Sequence, residues 1–195
     1  MGKYDNQVKQ VYSTYHPANV SETYTIYEIN DLAFNALEQI IHEYRLRYVD
    51  KNTVINYLNL IETAENPQEM LNEIRAILFN SVASDNYIIE LLYFAANMIL
   101  KILIKITDKP TEFIINEIYS LYLEKNDIYG DSWYGRGSHG IYTELERKVY
   151  RFNRVISHNQ IENQIIEPIE DTLKDTLNYI TFFIICLKYV DPHMS

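Results

Sequence analysis

Apolar residues recur along this chain mostly at steps of three and four, the period of a helix buried on one side. Leu32, Phe34, Leu37, Ile40, Ile41 and Tyr44 follow this rhythm and predict a helix from a cap at Asn30 or Asp31 to about Val49. Asn52 can cap a further helix through Ile61. Asn66-Pro67 is a start signal, with proline at the first helical position, for a stripe of Met70, Leu71, Ile74, Ile77 and Leu78. Ser84 or Asp85 opens a long helix to about Thr107 that is apolar nearly all round, as a central helix is. Asp108-Lys109-Pro110 interrupts the pattern and starts the next helix, through about Lys125. Asn126–Gly140 holds four of the five glycines and is the one stretch that reads as a long loop. Leu145, Val149, Phe152 and Ile156 then mark a helix over Ile141–Ile156. Ile169, Leu173, Leu177 and Ile180 mark a last one from Pro168 to about Val190.

No segment alternates strictly enough for a sheet, and no repeat is visible. The predicted fold is therefore all-α, a bundle of about seven helices. Residues 1–20 are polar without a clear period and read as a loose arm. The break after Thr107 separates an N-terminal helical region, 1–107, from a second region, 108–195.

Composition narrows the function classes. A chain of 195 residues with 47% hydrophobic and 23% charged residues can bury a core without crosslinks. Its net charge of −10 argues against a polymeric nucleic acid as partner, because backbone binding needs a basic surface. A small phosphorylated ligand in a local basic pocket stays compatible with it. Eighteen tyrosines point to half-buried helix faces, with one or two available for stacking on a base. The single cysteine, Cys186, sits in an apolar run and reads as a buried thiol, which leaves no Cys-rich zinc site. The apolar stretch Ile88–Ile106 is broken by Glu90, Asn97, Lys101 and Lys105, so a buried helix is expected and no membrane contact. No signal-peptide pattern is seen near Met1, and a cytoplasmic location is expected.

The candidate chemistry lies between Lys125 and Tyr179. On the helix Ile141–Ile156, Glu144, Arg147, Lys148, Arg151 and Arg154 fall on a face away from the apolar one. Four cations on one stripe repel each other unless an anion meets them, and phosphate suits the arginine fork. The plainer alternative is a solvated face carrying Glu144–Arg147 and Glu144–Lys148 pairs. On the last helix, Glu167, Asp171, Asp175 and Asn178 follow at steps of four, four and three. Two carboxylates a turn apart, with Glu144 from a facing helix, could hold Mg²⁺ or Mn²⁺. The alternative is ordinary acid placement at a helix start, which covers Glu167, Glu170 and Asp171 but not Asp175. The intervening loop adds Asp127, Asp131, Ser132, Trp133, Arg136 and His139, with Gly130 and Gly135 allowing close approach of a ligand.

Three blocks in order carry a resemblance. They are Lys125-Asn126-Asp127-x-Tyr129-Gly130-Asp131-Ser132-Trp133, then Glu144-x-x-Arg147-Lys148-x-x-Arg151, then Glu167-x-x-Glu170-Asp171-Thr172-Leu173-x-Asp175-x-x-Asn178-Tyr179. Over about 110–190 the chain resembles the nucleotide-modification-associated domain of many phage and bacterial proteins. The acid pattern is also similar, more distantly, to the MazG-like all-α nucleoside triphosphate pyrophosphatases. Those enzymes hold Mg²⁺ with a Glu-x-x-Glu pair and a Glu-x-x-Asp pair. Here the first helix has Glu144-x-x-Arg147, and Asp171 and Asp175 stand four apart. The resemblance implies a role in phage nucleotide metabolism in the host cytoplasm.

Two functions of different class follow. One is a Mg²⁺-dependent nucleotide phosphohydrolase. In it Glu144, Asp171 and Asp175 hold the metal, and Asp131 or Glu170 orients the attacking water. Arg147, Lys148 and Arg151 neutralise phosphate, while Lys125, Asn126, Asp127, Tyr129, Trp133, Arg136 and Asn178 contact the substrate. The other is a nucleotide-capturing module without chemistry, in which the acids orient the arginines. A helical interaction protein is the third, plainer alternative. Helical nucleotide hydrolases often complete their sites across subunits, so a homo-oligomer is expected.

Overall fold

The computed structural model describes residues 2–17, 22–46, 68, 84–130, 132–157 and 166–190. These form six α-helices and no strand: α1 (Asp5–Ser13), α2 (Ile26–Leu46), α3 (Asp85–Thr107), α4 (Thr111–Tyr129), α5 (Gly137–Ser157) and α6 (Ile166–Ile185). A 3₁₀ turn over Tyr134–Arg136 leads into α5, and a π turn over Cys186–Val190 extends α6. The fold is all-α, as the periodicity predicts. The helix expected over Asn52–Ile61 falls outside the described residues, as does the one after Pro67 except for Gln68, which is helical.

Helices α2 and α3 start where side chains satisfy their free amides. At α2, Glu28 N–H donates to Thr25 Oγ1 (3.2 Å), while Thr25 N–H donates to Glu28 Oε2 (2.7 Å). This is a reciprocal capping box. It sets the start of α2 at Ile26, ahead of the predicted cap at Asn30 or Asp31. Ser84 Oγ caps α3 by accepting from Tyr87 N–H (3.3 Å). Asp108 ends α3 in the left-handed conformation, φ 54°, which aspartate tolerates better than most residues. Pro110 then starts α4. Helix α4 continues to Tyr129, past the predicted end at Lys125, so the expected long loop contracts to a short connection before α5.

The core is continuous across the break at 108–110. Leu92, Ile99 and Leu103 before it and Ile118, Leu177 and Phe183 after it belong to one buried cluster. Helix α2 packs along α3, α5 packs along α6, and α6 also touches α1, α3 and α4. Among the described residues α3 alone has the length and hydropathy of a membrane span, and most of it is buried inside the bundle. Its one buried cation, Lys101, pairs with Glu22.

The N-terminal segment departs from the expected loose arm. Tyr4, Val8, Val11, Tyr12 and Tyr15 lie on one stripe of α1 and its flanks and are buried. Treating tyrosine as polar hides this stripe; the rings are interior and only the hydroxyls need partners. Tyr12 donates to Asn178 Oδ1 on α6. The Tyr15 hydroxyl bonds to Thr181 Oγ1 (2.6 Å), also on α6. Burial pushes both phenols well above their ordinary value, so they stay protonated. From α4, Tyr122 donates to the buried Asp5 carboxylate (2.8 Å). Three buried hydrogen bonds thus fasten α1 to α6 and α4.

Replacing Tyr12 with Phe keeps the ring and strands the Asn178 carbonyl. The unfolding free energy should fall by about 1–3 kcal/mol in urea denaturation. An unchanged midpoint would show that α1 is not held by this bond.

Candidate functional site

A cavity of about 240 Å³ opens between the C-terminal half of α4, the turn before α5, and α5 and α6. Its aromatic walls come from Tyr122, Trp133, Tyr179 and Phe182. Its polar lining includes Lys125, Asn126, Arg136, Glu144, Asp175 and Asn178. Tyr179 and Phe182 lie three residues apart on α6, so both reach the same side of that helix.

The turn that carries Trp133 is set by glycine at both ends. Gly130 (φ 61°, ψ −170°) and Gly137 (φ 61°, ψ −175°) sit in a region open essentially to glycine alone. Between them Trp133 folds inward and stacks on Phe182, with centroids 4.5 Å apart and planes 11° apart. Tyr4 of the α1 region closes on its other neighbours, 5.6 Å from Trp133 and 5.1 Å from Tyr134. Trp133 is 9% exposed, and its buried indole N–H has no hydrogen-bond partner among the described residues. A buried donor left over in this way costs about 1–3 kcal/mol until an acceptor meets it.

Two carboxylates line the cavity, and both are engaged. Asp175 accepts from Lys125 Nζ (2.7 Å) on α4 and from Lys148 Nζ (2.7 Å) on α5. Burial works to raise the Asp175 carboxyl, but the two lysines outweigh it and hold it below its ordinary value. Glu144 pairs with Arg147 (3.2 Å) and more loosely with Arg136 (3.9 Å). The Lys148 ammonium also lies 5.5 Å above the Tyr179 ring. Burial, with the nearby Glu144 and Asp175 charges, raises the Tyr179 phenol above its ordinary value. Its hydroxyl is therefore a donor. Asn178 spends its carbonyl on Tyr12, and its NH₂ group is what it has left to offer a ligand.

Of the residues singled out in the sequence, Lys125, Asn126, Trp133, Arg136, Glu144, Asp175 and Asn178 line this cavity, with Arg147 and Lys148 bonded to its carboxylates. Asp127 and Arg151 are exposed and do not line it. Asp131, and the side chains of Tyr129, Arg154 and Glu167, lie outside the described residues. Glu170 belongs to a separate network. It pairs with Lys174 (2.6 Å) and Lys109 (3.4 Å), and both lysines also bind Glu117 at 2.8 and 2.9 Å. Asp171 is exposed and borders a second hollow beside Glu117 and Lys174. Glu144, Asp171 and Asp175 therefore do not converge as one donor set. Among the described residues no three His, Cys, Asp or Glu side chains form a group that could hold a metal ion.

Ser132, named with the loop, also lines the cavity, whereas sequence spacing passed over Tyr122, Ile141 and Phe182 as lining residues. The pairing of Tyr179 and Phe182 three apart was the available signal for an aromatic wall. Compared with known proteins, the chain matches no family model, no curated protein and no solved structure.

Two expectations follow. Asp175→Asn should lower stability near neutral pH by about 1–2 kcal/mol, since Lys125 is half exposed and solvent screens its share. The folded carboxyl titrates below its unfolded value of about 4, so the stabilisation is complete above that pH and fades as pH falls through the folded value. The gap in melting temperature between native protein and Asp175→Asn should close in acid; a gap independent of pH would refute the ion-pair assignment. Gly137→Ala should cost about 1–3 kcal/mol from backbone strain alone, read by denaturation, and a neutral result would mean that the turn relaxes freely.

Proposed function

We propose that this protein binds a nucleotide, with the ring in the aromatic cavity and the phosphate at its cationic rim. The observation that carries the reading is the cavity walled by Tyr122, Trp133, Tyr179 and Phe182, with Lys125 and Arg136 at its lining. Flat aromatic rings favour a flat heterocycle. Arg136 and Arg147 offer the planar fork that suits phosphate oxygens. The resemblance to the nucleotide-modification-associated domain points to the same ligand class.

Capture without chemistry is the form of the function that the charges favour. Mg²⁺ needs carboxylate oxygens free to coordinate it. Both acids at the cavity already carry two protein cations each, and the third expected ligand borders another hollow. In this arrangement the carboxylates position Lys125, Lys148, Arg136 and Arg147 around a ligand. The hydrolase reading draws on one observation, that Glu144 and Asp175 face the same space, and its metal would have to displace those cations.

The chain has one tryptophan, and it stands in the cavity wall, so its fluorescence reports on this site alone. Titration with the common nucleotides should change Trp133 emission, with the same affinity in the presence of Mg²⁺ or a chelator and with no product formed. A flat signal across all nucleotides would sink the binding reading. Turnover that requires Mg²⁺ would replace capture with hydrolysis.

A further inference from the structure

The charge count at the cavity narrows the ligand class. Four cations, Lys125, Arg136, Arg147 and Lys148, surround two carboxylates, Glu144 and Asp175. Among the described residues the cluster keeps two net positive charges. A phosphate monoester carries about −1.5 to −2 near neutral pH, with three acceptor oxygens. From this match we infer that the ligand is a nucleoside monophosphate, bearing one dianionic phosphate; the inference rests on the nucleotide-binding reading above.

The geometry also says which cation meets the phosphate. Asp175 holds its two lysines at 2.7 Å, and Glu144 holds Arg147 at 3.2 Å. Arg136 stands 3.9 Å from Glu144, and its side chain is 61% exposed. It can turn to an incoming anion without breaking a tight pair. Its backbone lies in the 3₁₀ turn next to Trp133, so the phosphate-binding fork and the ring-binding wall are only three residues apart. Lys125, half exposed, also lines the cavity and can add a second contact.

A longer phosphate chain gains little here. Its added negative charges exceed what the cluster can neutralise and meet Glu144 and Asp175 at close quarters. They also meet a chain whose net charge is −10, which repels anions at longer range. The cavity, at about 240 Å³, is below the usual range of about 300–1,000 Å³ for sites that enclose a drug-sized ligand. It suits one base, which leaves the sugar and phosphate at the rim.

Trp133 fluorescence can test this with three series on the full chain: the four deoxyribonucleosides, their 5′-monophosphates and their 5′-triphosphates. For the preferred base, the monophosphate should bind about tenfold more tightly than the nucleoside and no more weakly than the triphosphate. Arg136→Ala should weaken the monophosphate by about tenfold more than it weakens the nucleoside. Equal affinity for nucleoside and monophosphate, or a tighter triphosphate, would overturn the inference while leaving nucleotide binding intact. Equal losses for both ligands in Arg136→Ala would overturn the role of that arginine in it. Deoxyribose 5-phosphate serves as the control: if it matches the monophosphate, the ring contributes nothing and the underlying reading fails too.

Discussion

The hydrogen bond from Tyr12 to Asn178 joins two segments that everything else here needs in register. A phenol in an apolar core loses about 1–3 kcal/mol if its hydroxyl finds no acceptor. Asn178 supplies that acceptor from α6, and Tyr15 finds its own one turn further along at Thr181. With α1 seated this way, Asp5 is placed to receive Tyr122, and Tyr4 to close on Trp133. Three of the cavity's own residues are thus held from behind by a helix that does not itself line it. The side chains around the cavity keep their positions because their rear contacts are satisfied.

Charge fixes the remaining geometry. Asp175 ties α4 to α5 through Lys125 and Lys148, so three helices meet at one carboxylate. A second knot, of Lys109, Glu117, Glu170 and Lys174, ties α4 to α6. Residues Glu117, Ser120 and Glu124 turn one face of α4 toward the second knot and its hollow, while Tyr122, Lys125 and Asn126 turn another toward the cavity. That division separates Asp171 from Asp175. Residues four apart on a helix differ by about 40° around its axis, and here the helix packed against them amplifies the difference into two distinct surroundings.

Much of the fold was legible in the sequence because its helices obey the simple period. The stripes on α2, α5 and α6 were read from apolar spacing alone, and Ser84 and Pro110 stand at the starts of α3 and α4. The start of α2 was missed because its signal is the Thr25–Glu28 pair, polar residues ahead of the first apolar position. Helix α1 was missed because its stripe is made of tyrosine. At the site, spacing identified Glu144, Arg147, Lys148 and Asp175 as residues of one neighbourhood. It could not show that lysines from two other helices occupy Asp175, because that depends on contacts 50 and 27 residues distant in the chain. Nor could it separate Glu170 from the cavity, since its partner Lys109 sits 61 residues away.

The bond between Tyr12 and Asn178 spans 166 residues and backs a cavity whose own walls run from Tyr122 to Phe182. Contacts of such separation form late, because a long loop must close before they reward the chain. Local fraying of α1 would strip Asn178, Tyr122 and Trp133 of their rear contacts while leaving the α2–α3 pair standing.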